Sequence, residues 1–325
     1  MHKTRIAVLG AGGLGKAAAR IIQQKDSLRL TAICDSKGYV INSQGLDGEE
    51  ISRLSGTVGD SAAGVFSDDS IGALIKHKEI IDGVFVALPN LPNNFIPSIV
   101  KRFIEAGVDW VFVDALKRTR AMELMFKLDN GLKNINATYI TGAGATPGLL
   151  TAAAVIAAQS YVKVDKVDIS WGVGVANWEE YKATVREDIG HLPGFNVEKA
   201  GKMTDRDVED LLDKTGGKLE LSEMEHADDI LLEKVGVIES RDQVAVGGVI
   251  DTRRAEKPQS TVMTLTGKTF DGKTSSHRFV LGDETCMAAN VIGPALGYLK
   301  RALWLKERSI YGIFGSTEFM PMVAH

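Results

Sequence analysis

The sequence predicts an α/β fold: a doubly wound parallel sheet, followed by a second α+β domain built on an antiparallel sheet. Up to residue 141, short apolar runs alternate with stretches of helical periodicity, the pattern of parallel strands joined by helices. Beyond residue 162, strand-like runs dominate, and Asp271-Gly272 separates two of them as a hairpin turn would. We therefore expect one domain at 1–147, a second at 148–285, and a C-terminal helix and tail at 286–325 that return to the first domain.

The first strand, residues 5–9, runs directly into the turn Gly10-Ala11-Gly12-Gly13-Leu14-Gly15 and then into a helix that reaches residue 24. In this spacing Gly10 permits a tight turn, Gly12 lets the backbone approach a pyrophosphate, and Gly15 lets the helix pack closely on the sheet. The first N–H groups of the helix can hold the phosphates. The pattern predicts a Rossmann-like domain that binds a dinucleotide through the turn residues Gly10, Gly12, Gly13, Leu14 and Gly15.

The second strand, residues 28–34, ends at Asp35, which lies 20 residues after Gly15. A carboxylate at this place accepts from the ribose hydroxyls of NAD and repels the 2′-phosphate of NADP. Ser36 and Lys37 follow, and a hydroxyl with an ammonium can hold that phosphate if Asp35 turns aside. The cofactor is therefore NAD or NADP. Two alternatives remain: Lys37 is an ordinary solvated charge on the turn, or the domain has this fold and binds no nucleotide.

The other predicted elements follow the same alternation. Residues 38–67 have weak periodicity and are predicted to be a long connection. A glycine-rich loop, 142–149, is predicted to open a helix with Pro147 in its first turn. The remaining predictions are strands at 81–88, 110–113, 138–141, 164–174, 234–239, 243–251, 261–269 and 275–281, and helices at 95–106, 119–130, 149–159 and 286–305.

The composition describes an ordinary protein of two domains. The chain has 325 residues, 44% of them hydrophobic, and a formal net charge of −4, which argues against nucleic acid or an anionic membrane as a partner. Its two cysteines, Cys34 and Cys286, have no paired spacing, so no disulfide is expected. No signal peptide and no apolar run of membrane-spanning length occurs. We expect a cytoplasmic protein.

Ligands of doubly wound sheets bind at the carboxyl ends of the strands, which here deliver further candidates for the cofactor site: Leu88, Pro89, Asp114 and Ala115. Lys117 stands three residues past the end of a strand whose tip lies near the nicotinamide in such folds. A lysine there can act as a general acid or base, or as an amine nucleophile that forms a Schiff base with a carbonyl. The alternative is a surface lysine in a basic rim with Arg118 and Arg120.

Two histidines are further candidates for catalysis. His191 lies in a loop rich in glycine and proline, and His226 lies in an acidic segment. Either can carry a proton, and the alternative for each is a surface position. Because no second histidine or cysteine stands at ligand spacing from His226, we assign no metal. Glu318 can approach the site if the C-terminal segment folds back.

With these residues in view, and with Gly144-Ala145-Thr146-Pro147-Gly148-Leu149 and Gly315-Ser316-Thr317-Glu318-Phe319, the chain resembles the saccharopine-dehydrogenase-like oxidoreductases. That group uses a nicotinamide cofactor to reduce imines formed between an amine and a carbonyl. Lys117 departs from the usual pattern and is similar to the BioU-type enzymes of biotin biosynthesis, in which a lysine of the protein is the amine donor.

The BioU-type resemblance implies that Lys117 condenses with the ketone of 8-amino-7-oxononanoate, that the imine is reduced, and that oxidation and hydrolysis leave a carbamoylated diamine and an aldehyde at residue 117. Such a protein turns over once. It implies an amino-ketone substrate and carbon dioxide or bicarbonate. We expect a homo-oligomer on a separate ground, because an antiparallel sheet that follows a nucleotide domain commonly forms the subunit interface. Two other functions stay open: a saccharopine- or opine-type dehydrogenase that acts on an amino acid with multiple turnovers, and a non-catalytic NAD(P)-binding redox sensor.

Overall fold

The computed structural model describes residues 3–176, 178–282 and 287–325. The prediction for Cys286 lies outside these residues, whereas Cys34 is buried as a free thiol. The chain forms two compact units: unit 1 comprises Met1–Leu149 and Ala288–His325, and unit 2 comprises Leu150–Met287. No helix within the described ranges has the length and apolar character needed to span a membrane.

The strands are β1 (Thr4–Leu9), β2 (Leu28–Cys34), β3 (Gly38–Ile41), β4 (Val65–Phe66), β5 (Gly83–Val86), β6 (Val111–Asp114), β7 (Thr138–Thr141), β8 (Lys163–Gly174), β9 (Lys218–Leu221), β10 (Val244–Asp251), β11 (Val262–Lys268), β12 (Thr274–Val280) and β13 (Gly312–Gly315).

The helices are α1 (Gly13–Gln23), α2 (Gly48–Ser52), α3 (Ser70–Lys76), α4 (Phe95–Glu105), α5 (Thr119–Phe126), α6 (Asp129–Asn134), α7 (Leu149–Ala158), α8 (Lys182–Ile189), α9 (Val197–Lys202), α10 (Asp205–Lys214), α11 (Asp228–Lys234) and α12 (Met287–Lys306). Short 3₁₀ helices occur at Val58–Asp60, Lys78–Ile80, Trp178–Tyr181 and Arg241–Gln243.

Unit 1 is built on an eight-stranded sheet with the order β13-β7-β6-β5-β1-β2-β3-β4. The strands from β13 to β2 are parallel, and β3 and β4 extend the edge antiparallel. All four residues of β5 and of β6 are buried, as expected of strands covered on both faces. The core joins strand residues such as Val8 and Phe85 to Leu299 of α12. Burial of each such side chain contributes about 1.5–3 kcal/mol.

Unit 2 is built on a five-stranded sheet with the order β12-β11-β8-β10-β9. Its strand pairs are antiparallel except for β8 with β10, which run parallel. The predicted hairpin is present, and Gly272 adopts the left-handed conformation, φ 80°, that its turn requires. The fold class is thus the predicted one: a Rossmann-like sheet and a second α+β unit rich in antiparallel pairs.

Several predicted elements were wrong. Residues 38–67 are not one long connection, because they contain β3, α2 and β4. The predicted strand at 234–239 is absent: α11 ends at Lys234, and Gly236 then turns the chain with φ 74°. The predicted helix at 119–130 consists of α5 and α6, and Pro147 precedes α7 instead of lying in its first turn.

Candidate active site

The turn between β1 and α1 has the shape that a pyrophosphate requires. Gly10 has φ +99°, and a Cβ there would collide with the carbonyl oxygen of Ala87, while a Cβ on Gly15 would collide with the carbonyl of Gly10. A Cβ on Gly12, by contrast, meets nothing within 4 Å. Gly12 caps α1 without a side-chain hydrogen bond, and the first turn contains no acidic residue. The uncapped start of α1 beside the open space at Gly12 therefore fits an anionic phosphate.

Asp35 follows β2, but its carboxylate binds the protein itself. Oδ1 accepts hydrogen bonds from the N–H groups of Lys37 at 2.8 Å and Gly38 at 3.0 Å, and from Thr57 Oγ1 at 3.2 Å. Oδ2 accepts from the N–H of Val58 at 2.9 Å. An ionised carboxylate has about four acceptor positions, so these four donors take most of its capacity. Asp35 links the turn after β2 to the segment at 57–58.

Ser36 and Lys37 lie on that same turn, and both are exposed. Neither side chain has a hydrogen bond or an ion pair with another described residue. The turn thus presents a hydroxyl and an ammonium at the carboxyl end of β2, beside the glycine turn.

Asp114, at the carboxyl end of β6, is the centre of a buried hydrogen-bond cluster. Its carboxylate accepts from the N–H groups of Gly142 at 2.7 Å and Leu116 at 3.0 Å, from Tyr139 Oη at 2.8 Å, and from Thr141 Oγ1 at 3.0 Å. Burial raises the pKa of the Asp114 carboxyl above its ordinary value, and these hydrogen bonds oppose the rise. Burial and the nearby carboxylate raise the pKa of Tyr139, so its hydroxyl stays protonated and donates.

Residues 115–118, which we name the Lys117 loop, are held from two sides. Asp114 binds the N–H of Leu116 within the loop and the N–H of Gly142 on the next strand end. On the other side, the N–H of Lys117 lies 3.3 Å from Asn90 Oδ1, and Arg118 Nε donates to Asn93 Oδ1 at 2.9 Å. Lys117 is half-buried. The loop is therefore connected to the chain segments after both neighbouring strands, β5 and β7.

The basic rim expected around Lys117 is only partly present. Arg120 is exposed, but Arg118 is 5% exposed and hydrogen-bonded within unit 1, so it does not belong to a solvated rim. Among the residues expected at the nicotinamide end of the cofactor, Leu88 and Ala115 are half-buried and Pro89 is exposed. The Asp114 carboxylate is fully buried, so a ligand at the strand end meets its backbone and neighbours instead.

Unit 2 contains the two candidate histidines. His191 is half-buried in the turn after α8. His226 is not a surface residue: it is 4% exposed, and its Nδ1 lies 2.6 Å from Asp228 Oδ2. The other oxygen of Asp228 accepts from Thr151 Oγ1 at 2.5 Å, and both of these residues are 0% exposed. Three buried polar side chains thus form a chain from α7 through α11 to His226.

The structure brings one group of predicted site residues together. These residues lie at the carboxyl ends of four adjacent strands of the unit 1 sheet: the glycine turn after β1, Asp35 after β2, Leu88 after β5, and Asp114 and Lys117 at and after the end of β6. Glu318 follows β13 of the same sheet, where its Oε2 accepts from the N–H of Gly315 at 2.6 Å. Across the described ranges, no cluster of three or more histidine, cysteine or acidic side chains suits a metal ion.

Sequence reasoning assigned no positioning role to the residues that hold the candidates in place: Asn90, Asn93, Tyr139, Thr141, Thr151 and Asp228. One signal was available for Tyr139 and Thr141, because polar groups in a strand buried on both faces need partners. No comparable local signal marks the partner of Asp228, which lies 77 positions away in the sequence.

Comparison with known proteins gives one long match. The chain is 42% identical over 354 aligned positions to the protein of Haloferax mediterranei named (S)-8-amino-7-oxononanoate synthase BioU, and the alignment covers 99% of both chains. The chain belongs to the BioU family. A family model described as glutamate/leucine/phenylalanine/valine dehydrogenase also matches residues 1–112. This BioU-family protein is an oxidoreductase that uses NAD or NADP.

Solved structures with the same fold have much lower sequence identity. The diaminopimelate (DAP) dehydrogenase of C. glutamicum in complex with DAP has a TM-score of 0.60 at 15% identity, covering 98% of this chain and 94% of that one. An engineered D-amino acid dehydrogenase bound to NADP⁺ has a TM-score of 0.59 at 15% identity, with 97% and 94% covered. The amine dehydrogenase of Mycobacterium smegmatis has a TM-score of 0.53 at 15% identity, with 99% and 97% covered. These likenesses show the fold of this BioU-family chain.

Proposed function

We propose that this protein acts in biotin biosynthesis, where it converts 8-amino-7-oxononanoate to 7,8-diaminononanoate or its carbamoylated form, with Lys117 as the amine donor. The BioU relationship supports the pathway, and the name of the Haloferax relative associates the family with the same amino-ketone. The observation that carries the proposal is the Lys117 loop: a half-buried lysine on a loop whose backbone is held from both sides, at the end of a strand that lies two places from the strand of the dinucleotide turn.

The reaction begins with addition of the neutral Lys117 amine to the ketone carbon, and loss of water gives an imine. A nicotinamide cofactor held at the turn of Gly10, Gly12 and Gly15 would supply hydride-transfer chemistry in both directions, for reduction of this imine and for oxidation at Cε of Lys117. Water then cleaves the new C=N bond at Cε, so the nitrogen leaves with the diamine and residue 117 keeps an aldehyde. The two hydride transfers balance, and the protein is consumed once. Carbamoylation of the diamine requires carbon dioxide or bicarbonate as a co-reactant.

The cofactor fits unit 1 through its own residues. The open space at Gly12 and the uncapped start of α1 suit the pyrophosphate. Asp35, Ser36 and Lys37 would lie at the adenosine ribose, and Leu88, Pro89 and Ala115 would lie at the nicotinamide end. The Asp35 carboxylate already accepts hydrogen bonds from four protein donors. We therefore propose that Ser36 and Lys37 contact the 2′ position of the ribose, so that the site can bind NADP.

The test is peptide mass spectrometry after incubation with 8-amino-7-oxononanoate, NADPH and bicarbonate. Conversion of an amine to an aldehyde should lower the mass of the peptide that contains residue 117 by about one unit, and borohydride added early should instead attach the substrate at that residue. Lys117→Arg and Lys117→Ala should abolish both changes while NADPH binding persists. Lys101→Arg, which alters an exposed lysine on α4, is the matched control.

The alternative functions give different results. Many product molecules per protein with an unmodified Lys117 would indicate a multiple-turnover, imine-reducing dehydrogenase. NADPH binding without any conversion, tested with amino-ketone and amino-acid substrates, would indicate the redox sensor. Formation of 8-amino-7-oxononanoate in place of its consumption would reverse the proposed direction.

A further inference from the structure

The side chain of Asn90 connects the segment after β5 to the Lys117 loop. β5 and β6 are parallel neighbours in the unit 1 sheet, so the segments that follow them leave the sheet at the same edge. Asn90 Oδ1 accepts a hydrogen bond from the N–H of Lys117 at 3.3 Å, and Asn93 Oδ1 accepts one from Arg118 Nε at 2.9 Å. Two neighbouring contacts therefore hold the segment of Asn90 against consecutive residues of the loop.

The contact with Lys117 fixes which way the Asn90 amide faces. A backbone N–H only donates, so the atom that meets it must be the amide oxygen, and the NH₂ group is the other branch of the amide. This NH₂ group donates to no other residue in the part of the chain that the structure describes. Because Asn90 is half-buried and gives only its oxygen to the protein, its two N–H donors are available to a ligand.

These donors are close to the residue that carries the proposed reaction. The oxygen and nitrogen of an amide are about 2.3 Å apart, so Asn90 Nδ2 lies within about 6 Å of the backbone nitrogen of Lys117. The flexible four-carbon stem of Lys117 lets its amine approach a ligand at that distance. Both side chains belong to unit 1. A ketone that accepts a hydrogen bond from Asn90 can therefore be attacked by Lys117.

We propose that Asn90 Nδ2 is a catalytic hydrogen-bond donor to the ketone oxygen of the substrate in the imine-forming step of the proposed function, on which this inference rests. The Lys117 nitrogen bonds to the ketone carbon with its electron pair, and the π electrons of the C=O bond move to the oxygen. A proton moves from this nitrogen to the oxygen, and the carbinolamine then loses water, whose two hydrogens are those of the amine. Asn90 transfers no proton, but stabilises the negative charge that develops on the oxygen.

The test is the rate of imine formation without NADPH, measured by timed borohydride trapping of the 8-amino-7-oxononanoate adduct and peptide mass spectrometry. Asn90→Asp keeps an oxygen for the N–H of Lys117 but removes both donors, so imine formation should be roughly a hundredfold slower. Asn90→Ala, which also removes the acceptor, should be at least as slow. Asn94→Asp, at an exposed asparagine without a side-chain cap hydrogen bond, is the matched control and should keep the wild-type rate.

The charge that Asn90→Asp adds has a separate signature. A carboxylate near Lys117 favours its ammonium form, and a higher pH restores the neutral amine that attacks the ketone. The rates are therefore compared at the pH above which they no longer rise, where the charge effect is gone and the loss of the donor persists. A fluorescence titration with NADPH should give the same affinity for the wild type and for Asn90→Asp.

The outcomes that contradict the proposal are distinct. A wild-type rate for Asn90→Asp at high pH would show that the amide donors are not used, while the proposed function would stand. Equal slowing in Asn94→Asp would attribute the effect to charge on the segment and refute the specific role of Asn90. Weakened NADPH binding with unchanged imine formation would assign the amide to the nicotinamide instead. If the wild type gives no trapped adduct at Lys117, the proposed function fails and this inference fails with it.

Discussion

Asp114 should hold the Lys117 loop to the segment after β7 mainly through two backbone N–H groups, those of Leu116 and Gly142, and Asp114→Ala tests this directly. The substitution leaves the N–H groups of Gly142 and Leu116 buried without their acceptor, each at a cost of about 1–3 kcal/mol. The hydroxyls of Tyr139 and Thr141 can rotate toward other acceptors and contribute less. Removal of a buried charge offsets part of the loss, so we expect a decrease of about 2–4 kcal/mol in the free energy of unfolding.

Asp114→Asn is the matched comparison, because its amide oxygen can still accept from both N–H groups while the negative charge is gone. The Asn NH₂ group then faces the Tyr139 hydroxyl, which can accept instead of donating. We expect Asp114→Asn to be close to the wild type and clearly more stable than Asp114→Ala. Urea denaturation followed by circular dichroism, analysed unit by unit if two transitions appear, provides the free energies.

The pH dependence of this comparison has a definite sign. Burial raises the pKa of Asp114 in the folded state above its unfolded value, so its favourable contribution is complete below the unfolded pKa and is lost as pH rises through the folded pKa. Asp114→Asn does not titrate. The stability of Asp114→Asn relative to the wild type should therefore increase from pH 4 to pH 7. Equal stability of the Ala and Asn variants, or a relative change in the opposite direction, would refute this account of the cluster.

Two further predictions concern the cofactor. Gly12→Val should fold normally, since Gly12 has φ −73° and a Cβ there meets nothing within 4 Å. The variant should nevertheless bind NADH at least about tenfold more weakly, because the side chain obstructs the pyrophosphate. A fluorescence titration that finds unchanged affinity would mean that the turn has another role. Lys37→Gln should weaken binding of 2′-phospho-ADP-ribose about tenfold and leave the affinity for ADP-ribose unchanged, whereas the control Lys101→Gln should change neither affinity. If calorimetry finds the same ratio of the two affinities in the wild type and in both variants, Lys37 does not contact the 2′-phosphate.

The sequence predicted the dinucleotide turn well because its determinants are local. Gly10 is required by its positive φ, Gly15 is required by a close approach to the carbonyl of Gly10, and the buried strands β5 and β6 lie in nearly continuous apolar runs. Lys117 was identified by the same kind of reasoning, from its distance to a strand end. Its role as amine donor remains a prediction.

The errors in the fold occur where pairing is not local. Val235, Val237 and Ile238 resemble a strand in sequence, but short apolar runs do not distinguish a strand from the chain that follows a helix. β3 is a short strand that pairs with β2 after a turn that Asp35 stabilises, and the two-residue strand β4 pairs only with β3 among the described strands. β13 joins the sheet beside β7, more than 170 residues earlier in the chain, and nothing in its four residues specifies that partner.

The same division separates reactive residues from the residues that position them. A lysine at a strand end, or a histidine in an acidic segment, can be recognised from residue type and spacing alone. A buried carboxylate lies close to each of these candidates, Asp114 three residues before Lys117 and Asp228 against His226, and each carboxylate is itself held by a residue distant in sequence: Gly142 for Asp114, Thr151 for Asp228. A carboxylate without those donors would be costly to bury. The positioning carboxylates could therefore be identified only after the fold had brought their partners together.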